Sequence, residues 1–233
     1  MKKYVVFDFD GTLTITKKGS NSWYNIWNYL DALDEDEYLY NKYKNGEFDY
    51  KGWVIRCIDS YKKHKLEKSV MKTLAKNINL INDIEEIFRL FHKLDIKIYI
   101  MSQGVKNIIN IALKNVLQYI SDIEGVELFF DENNIVSGAS YRIEDKQDYI
   151  QDIMLQENCS PEDILFIGNG QNDETVYKTG VETLCLNADD ADSNNKMFWT
   201  NAIETNTLSD ILRYVLPDNY ELSSDDEINN QTN

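Results

Sequence analysis

The sequence predicts an α/β protein with a doubly wound, mainly parallel Rossmann-like sheet and a small α-helical cap inserted after the first strand. From residue 82 onward, short apolar runs alternate with amphipathic helical patterns, which is typical of βαβ units. Residues 20–79 instead carry apolar side chains at helical spacing and contain no convincing strand. We therefore expect a core of residues 1–15 and 80–217, a cap of residues 16–79 and a disordered acidic tail of residues 218–233.

The first predicted strand comprises four consecutive apolar residues, 4–7, and two acids follow it directly. An uninterrupted apolar run indicates a strand that is buried on both faces of a parallel sheet. Asp8 and Asp10 would then lie at its carboxyl end, where open α/β sheets bind ligands, and Gly11 permits a sharp turn. These acids are either solvated turn residues or part of a metal or phosphate site, and the later residues decide between the two.

The inserted segment is predicted to form three or four short helices. Its aromatic residues recur at helical spacing, and we interpret them as the core of the cap rather than as a substrate pocket. They are Trp23, Trp27, Trp53 and Tyr61. Arg56 lies one helical turn beyond Trp53 and is the candidate substrate contact, the alternative being a surface arginine whose stem packs on its neighbours.

The rest of the chain alternates between predicted helices and strands. Helices are expected at 83–91, 105–117, 145–157, 174–178 and 208–215, and strands at 96–101, 126–130, 164–167 and 183–186, with a hairpin return at 135–136.

Two polar features follow strands of this predicted sheet. Ser102 comes directly after the strand that ends at Met101, and a hydroxyl with backbone N–H groups at a helix N-terminus can hold an anion. Lys146 opens a helix, where a cation is unfavourable unless an anionic group lies nearby. Acidic neighbours could also explain this lysine, and Arg142 is a competing cation for a phosphate.

A glycine-rich loop, residues 168–173, follows the strand at 164–167. Its glycines allow the backbone to approach a ligand, and the side chains of Asn169 and Asp173 supply oxygen atoms. Oxygen ligands suit a hard cation such as Mg²⁺. The alternative is an ordinary glycine turn before a helix.

Taken together and in this order, the motifs resemble those of the haloacid dehalogenase superfamily of phosphohydrolases. The resemblance covers the chain up to about residue 215. It is carried by Asp8-Phe9-Asp10-Gly11-Thr12, Ser102, Lys146 and the loop Gly168–Asp173. The spacing is similar to that of the phosphoserine-phosphatase-like branch, and the helical insert looks like a C1-type cap.

The resemblance implies a role for each of these residues. Asp8 would be the nucleophile that forms an aspartyl-phosphate, and Asp10 would be the general acid and base. Mg²⁺ would be held by Asp8, Asp10, Asn169 and Asp173. The phosphate would be bound by Gly11, Thr12, Ser102, Gln103, Gly104 and Lys146.

The function implied is that of a Mg²⁺-dependent phosphomonoesterase acting on a small soluble phosphate ester. Asn169 stands where the family usually has aspartate, so the alternative is a catalytically weakened phosphate-binding or regulatory protein. The basic stretch at residues 15–19 replaces an acidic residue of the phosphoserine phosphatases, which argues against phosphoserine. A nucleotidase is a further alternative among enzymes. A response-regulator receiver is disfavoured, because receivers are about half as long and have no helical insert.

The amino-acid composition limits the kinds of molecule that the protein is expected to bind. The formal net charge of −16 argues against binding to nucleic acid or to an anionic membrane. Three scattered cysteines suggest a reducing compartment. No apolar run reaches the length of a membrane span, and the N-terminus lacks the apolar stretch of a signal peptide. We therefore expect a cytoplasmic protein with a small phosphorylated metabolite as its partner, and the oligomeric state is left open.

Overall fold

Seven strands form one sheet in a computed structural model that describes residues 1–15, 21–142, 144–188 and 197–220. The strand order is β4-β3-β2-β1-β5-β6-β7, and adjacent strands are parallel except for the antiparallel pair β3 and β4. This topology confirms the predicted fold class. The strands are β1 (Tyr4–Phe7), β2 (Lys97–Val105), β3 (Ile120–Phe130), β4 (Val136–Ser140), β5 (Ile164–Gly168), β6 (Glu182–Leu186) and β7 (Asn201–Ile203).

The first strand lies at the centre of the sheet. β1 is buried along its whole length and pairs with β2 on one side and with β5 on the other. Phe7, its last residue, is in register with Ile100 of β2 and Ile167 of β5. The residues that follow these three strands therefore meet at one edge of the sheet.

Five helices of the described chain lie between β1 and β2, the first four of them in the inserted segment, and three more follow β2. The inserted helices are α1 (Ser22–Tyr29), α2 (Leu33–Lys44), α3 (Tyr50–Lys63) and α4 (Lys68–Lys76). The later ones are α5 (Ile84–Lys93), α6 (Lys106–Ala112), α7 (Lys146–Glu157) and α8 (Leu212–Val215). Short 3₁₀ helices occur at 117–119, 161–163, 171–179 and 208–211.

The inserted helices pack around a cluster of aromatic residues. Ring centroids lie 4.8 Å apart for Trp23 and Trp53 and 4.6 Å apart for Trp27 and Tyr61, and all four side chains are buried. The cluster continues into apolar residues of α6, β3 and β4. Because one apolar cluster joins the insert to the sheet, the boundary between cap and core stays an interpretation.

Several elements differ in extent from the prediction. The expected end of the second strand at Met101 is wrong, because β2 continues to Val105 by pairing with β3 through an irregular register after Met101. The following helix therefore begins at Lys106 and is shorter than predicted. β3 begins at Ile120 rather than at residue 126, and β7 was not predicted because its three residues show no apolar alternation.

Two predicted features fall mainly outside the described residues. The basic stretch is described only at residue 15, and the predicted acidic tail only at residues 218–220. In the described part of the chain, no helix is both long and apolar enough to cross a membrane.

Candidate active site

Asp8 and Lys146 form a buried ion pair at the carboxyl edge of the sheet. The backbone N–H of Asp8 donates to the carbonyl of Ile167 at 2.8 Å, so the residue is fixed between β1 and β5. Its side-chain Oδ1 lies 2.5 Å from the Nζ of Lys146. Asp8 is 3% exposed and Lys146 is 1% exposed. The Asp8 carboxylate is thus held against an ammonium group that is almost inaccessible to water.

Lys146 reaches this position because α7 begins directly before it. The side chain of Asp145 caps the helix by accepting from the backbone N–H of Gln147 at 2.9 Å. The same carboxylate accepts a hydrogen bond of 2.6 Å from the hydroxyl of Thr175. Lys146 therefore extends from the first turn of α7 to Asp8, and its Nζ also contacts a carboxylate oxygen of Asp173. The two acids supply the anionic partners that a cation at this end of a helix requires.

Burial and charge act in opposite directions on this group of residues. Burial raises the pKa of Asp8, while the Lys146 ammonium favours its ionised form. Burial would lower the pKa of Lys146, but the carboxylates of Asp173 and Asp8 outweigh it and hold that pKa above its usual value. The lysine is therefore protonated at neutral pH.

Asp10 lies at the same edge and is held by the first inserted helix. Ser22, at the start of α1, donates a hydrogen bond from its Oγ to Oδ2 of Asp10 at 3.0 Å. The same Oγ accepts from the backbone N–H of Val105 at 2.9 Å, and Ser22 is fully buried. Burial raises the pKa of Asp10 to about 6, and the Ser22 hydroxyl moderates this effect. A carboxyl group with a pKa near neutrality can both donate and accept a proton.

Sequence reasoning missed Ser22. In the sequence it is a serine beside Asn21, and Asn21 supplies the side chain that caps α1 through the N–H of Tyr24. No local pattern connects Ser22 to an acid twelve residues earlier. Only the tertiary packing of α1 against the end of β2 brings the two side chains together.

Ser102, Gln103 and Gly104 lie within the extended part of β2, beside Asp10. The expectation that Ser102 stands at a helix N-terminus is wrong, because α6 begins only at Lys106. The Oγ of Ser102 instead accepts the N–H of Gly104 at 3.0 Å. A β-carbon at Gly104 would lie 2.5 Å from Oδ2 of Asp10, which explains the glycine at this position.

Gly11 and Thr12 bring the glycine-rich loop against Asp8. Gly11 has a φ of +84°, and a β-carbon there would lie 2.3 Å from Nδ2 of Asn169. The Oγ1 of Thr12 lies 3.4 Å from Oδ2 of Asp8 and 3.2 Å from Oδ1 of Asn169. Oxygen atoms of Asp8 and Asn169 therefore converge on one point, although the two residues belong to different strand ends.

Asp173 has partners that the metal-ligand prediction did not anticipate. Its Oδ2 accepts the backbone N–H groups of Asn169 and Gly170 at 2.9 and 3.0 Å, while its Oδ1 contacts Lys146. The carboxylate thus shapes the loop and anchors the lysine. Its direct coordination of a metal stays a prediction.

The donor atoms at this edge suit a hard divalent cation. Asp8 and Asn169 offer carboxylate and amide oxygens, and Mg²⁺ commonly uses one or two protein ligands together with water and substrate phosphate. Among the described residues, no cluster of three or more histidine, cysteine or acidic side chains has the arrangement of a metal site. A site with few protein ligands, as Mg²⁺ accepts, is consistent with this finding.

The two arginines considered from sequence have other partners. The guanidinium of Arg56 donates to the carbonyl of Gly52 at 2.9 Å and lies 4.4 Å from the ring centroid of Phe48. Arg142 pairs with Asp122 and Glu124. Of the three candidate cations, Lys146 is the one that contacts Asp8.

Comparison with known proteins places the chain in a family. The sequence model of the haloacid dehalogenase-like hydrolases matches residues 2–176, about three quarters of the chain. No curated protein matches the sequence significantly.

Solved structures resemble the whole fold. The chain is similar to a phospho-aspartyl intermediate analogue of phosphoserine phosphatase, with 18% identity, a TM-score of 0.73, and coverage of 92% of this chain and 99% of the other. It is similar to a HAD family hydrolase from Salmonella enterica serovar Typhi, with 17% identity, a TM-score of 0.77, and coverage of 93% and 72%. Cytosolic 5′-nucleotidase IIIB bound to cytidine has 16% identity, a TM-score of 0.62, and coverage of 89% and 82%. At these identities the likeness concerns the fold.

Proposed function

The chain belongs to the haloacid dehalogenase-like hydrolase family, and we propose that it is a Mg²⁺-dependent phosphomonoesterase. In this proposal Asp8 is the nucleophile, Asp10 is the general acid and base, and the substrate is a small soluble phosphate ester.

One observation carries the proposal: the buried carboxylate of Asp8 is paired with Lys146 at 2.5 Å and lies two residues from a second acid. Buried ion pairs seldom increase stability, because removing each charge from water costs several kcal/mol. Such pairs and strongly perturbed carboxyl groups concentrate at functional sites. Two acids with different partners at one strand end therefore support a catalytic rather than a structural role.

The proposed reaction has two steps that use the same two residues. In the first, a carboxylate oxygen of Asp8 attacks phosphorus, the bond from phosphorus to the ester oxygen breaks, and Asp10 protonates the departing alcohol. In the second, Asp10 takes a proton from water as the water attacks the phosphoryl group. The bond between Asp8 and phosphorus then breaks, which releases phosphate and restores the Asp8 carboxylate.

The surrounding groups position the phosphoryl group and offset its charge. Lys146 supplies a fixed positive charge, and the hydroxyl of Ser102 supplies a hydrogen-bonding group at the same edge. Gly11, Gln103 and Gly104 bring the backbone close to the same position. The hydroxyl of Thr12 orients the second oxygen of Asp8. Mg²⁺ would be held chiefly by Asp8 and Asn169, with the Asp10 carbonyl and Asp173 as the further ligands that the family implies, and would offset phosphate charge.

A second candidate function rests on Asn169. An amide in place of the family's usual carboxylate removes one negative charge from the metal loop. The alternative is therefore a protein that binds a phosphorylated ligand with little turnover. Tight Mg²⁺-dependent binding without phosphate release would favour it.

A phosphate-release screen tests the proposal. The panel comprises p-nitrophenyl phosphate, sugar phosphates, nucleoside monophosphates, phosphoamino acids and phosphocholine, each with Mg²⁺. We expect release from at least one ester by the native protein and loss of release in Asp8→Asn. Asp148→Asn, on the exposed side of α7, is the matched control and should retain activity. Full activity in Asp8→Asn, or no release from any ester, would overturn the proposal.

A further inference from the structure

The end of β2 is not held by the sheet alone. Between two regularly paired positions, residues 102–104 of β2 stand opposite the single residue Gly125 of β3. Buried backbone groups require hydrogen-bond partners, and one residue of β3 cannot supply them for three residues of β2. Some of the partners of this segment must therefore come from outside the sheet.

Two side chains of the inserted helices bind one carbonyl group of this segment. The indole Nε1–H of Trp23, on α1, donates to the carbonyl oxygen of Gln103 at 2.8 Å. The hydroxyl of Tyr50, the first residue of α3, donates to the same oxygen at 3.1 Å. Both side chains are buried, and burial raises the pKa of the Tyr50 phenol, so its hydroxyl keeps its proton. Two donors therefore hold this oxygen, and water has little access to displace them.

The peptide group that carries this oxygen also binds Ser102. A trans peptide directs its C=O and its N–H to opposite sides. Since the carbonyl of Gln103 points to the inserted helices, the N–H of Gly104 points away from them, and it donates to Oγ of Ser102 at 3.0 Å. The serine hydroxyl is the acceptor of that hydrogen bond, so its own proton is left for another acceptor, such as a phosphate oxygen.

The side chain of Gln103 connects the same segment to the helix that carries the site lysine. Its Nε2 donates to the carbonyl of Glu144 at 3.2 Å, and Glu144 stands two residues before Lys146. Gln103 is thus attached both to the inserted helices and to the segment that precedes α7. One residue therefore links the two side chains that are proposed to bind phosphate, Ser102 and Lys146.

We propose that Trp23 and Tyr50 are positioning residues for the phosphate site. They hold the peptide group between Gln103 and Gly104, and this peptide group orients the hydroxyl of Ser102 toward the phosphoryl group. The inference rests on the proposed phosphatase function and deepens it, because it gives the inserted helices a part in binding phosphate. Trp23 then serves the aromatic core of the insert and the site at the same time.

The first test removes each donor and keeps an aromatic ring. Tyr50→Phe deletes the hydroxyl, and Trp23→Phe deletes the indole N–H. A poorly oriented serine hydroxyl binds phosphate less well in the substrate, in the product and in the transition state alike. We therefore expect each variant to raise KM for a hydrolysed ester, and Ki for inorganic phosphate, by ~3- to 10-fold with a smaller change in kcat.

Two residues of the same aromatic cluster provide matched controls. Trp53 is also buried, and its ring centroid lies 4.8 Å from that of Trp23, yet its Nε1 has no hydrogen-bond partner in the described part of the chain. The buried hydroxyl of Tyr61 likewise has no partner among the described residues. Trp53→Phe and Tyr61→Phe remove the same chemical groups without freeing an acceptor. They should leave KM and Ki within ~2-fold of the native values.

A double-mutant cycle separates positioning from a general structural effect. In the Ser102→Ala background, Tyr50→Phe should change Ki for phosphate by less than ~2-fold, because the group through which it acts is gone. An undiminished effect in that background would overturn the inference. So would an equal loss in Tyr50→Phe and Tyr61→Phe. If Trp23→Phe does not fold, the comparison of these two tyrosines decides the question alone.

The proposed function and the inference can fail separately. If esters are hydrolysed and both Trp23→Phe and Tyr50→Phe keep the native KM and Ki, only the positioning role is refuted. If no ester is hydrolysed, calorimetric titration with inorganic phosphate and Mg²⁺ still tests it. Weaker binding by Tyr50→Phe than by the native protein would support the role, and equal affinity would refute it. Absence of phosphate binding by the native protein would refute both.

Discussion

Ser22 shows how one hydroxyl can couple an inserted helix to the proposed chemistry. It donates to Asp10 and accepts from Val105, so it links α1, the loop after β1 and the end of β2. A carboxyl group that must both give and take a proton needs a fixed orientation toward the substrate. We assign Ser22 as a positioning residue for Asp10.

Ser22→Ala should reduce turnover in a way that depends on the leaving group. An alkoxide needs protonation as it departs, whereas p-nitrophenolate leaves readily without it. We expect kcat to fall by ~10- to 100-fold with an alkyl phosphate and clearly less with p-nitrophenyl phosphate. Ser69→Ala on α4 is the matched control, and Ser22→Thr should restore part of the loss. An equal loss with both esters would contradict the positioning role.

Asn169 offers a second test at the residue scale. Its amide oxygen and Oδ2 of Asp8 both lie near the hydroxyl of Thr12. A cation bound between these oxygens would be held more tightly if residue 169 carried a negative charge. Asn169→Asp should therefore lower the Mg²⁺ concentration required for half-maximal activity by ~10-fold. Asn133→Asp, in the exposed turn between β3 and β4, controls for the added charge. An unchanged Mg²⁺ requirement would show that residue 169 does not coordinate the metal.

At the scale of elements, α7 is anchored at both of its ends. Lys146 and Asp145 fix its first turn at the site. At its last residue, Glu157 accepts hydrogen bonds from Lys97 at 2.6 Å and from Tyr99 at 2.6 Å, both on β2. The helix therefore bridges the sheet and presents Lys146 in a fixed position.

The anchor at Glu157 should make stability depend on pH. Lys97 and Tyr99 hold the pKa of Glu157 below its usual value. The stabilisation is therefore present above the pKa of the unfolded chain and is lost as the pH falls through the lower, folded pKa. We expect Glu157→Gln to lower the free energy of unfolding by about 1 kcal/mol at pH 7 and by much less at pH ~3. Urea denaturation at both pH values measures this, and a difference that is independent of pH would contradict it.

Elements with a strong local pattern were predictable from sequence. The apolar run 4–7 and the strand at 164–167 had to be buried in the sheet, and both were found with nearly the expected bounds. β2 was misjudged after Met101 because Ser102, Gln103 and Gly104 have no strand pattern, and their position follows from pairing with β3. The same holds for Ser22 and Asp173, whose partners come from distant parts of the chain.

At the scale of the whole molecule, the acidic composition bears on how substrate reaches the site. A net charge of −16 repels a phosphate ester over roughly a Debye length, about 10 Å at 0.1 M ionic strength. The positive charge of Lys146 would offset this repulsion only near the site itself.

Salt should consequently affect a sugar phosphate and phosphocholine, two esters of the phosphate-release panel, to different extents. With Mg²⁺ held constant, raising ionic strength from low values to 0.15 M should increase kcat/KM for the sugar phosphate by ~2-fold or more. Phosphocholine should respond less, because its net charge is smaller. A decrease for both esters would show that local attraction at Lys146 outweighs the repulsion by the rest of the molecule.

Phosphorylation of Asp8 during turnover is the central step of the proposed mechanism. The most direct measurement mixes the native protein with Mg²⁺ and a hydrolysed ester, quenches with acid within milliseconds and determines the intact mass and the modified peptide. We predict the added mass of one phosphoryl group on the peptide that contains Asp8, and no such addition in Asp8→Asn. Release of phosphate at full rate with no phosphorylated protein at any time, or with the phosphoryl group on another residue, would contradict the assignment of Asp8 as the nucleophile.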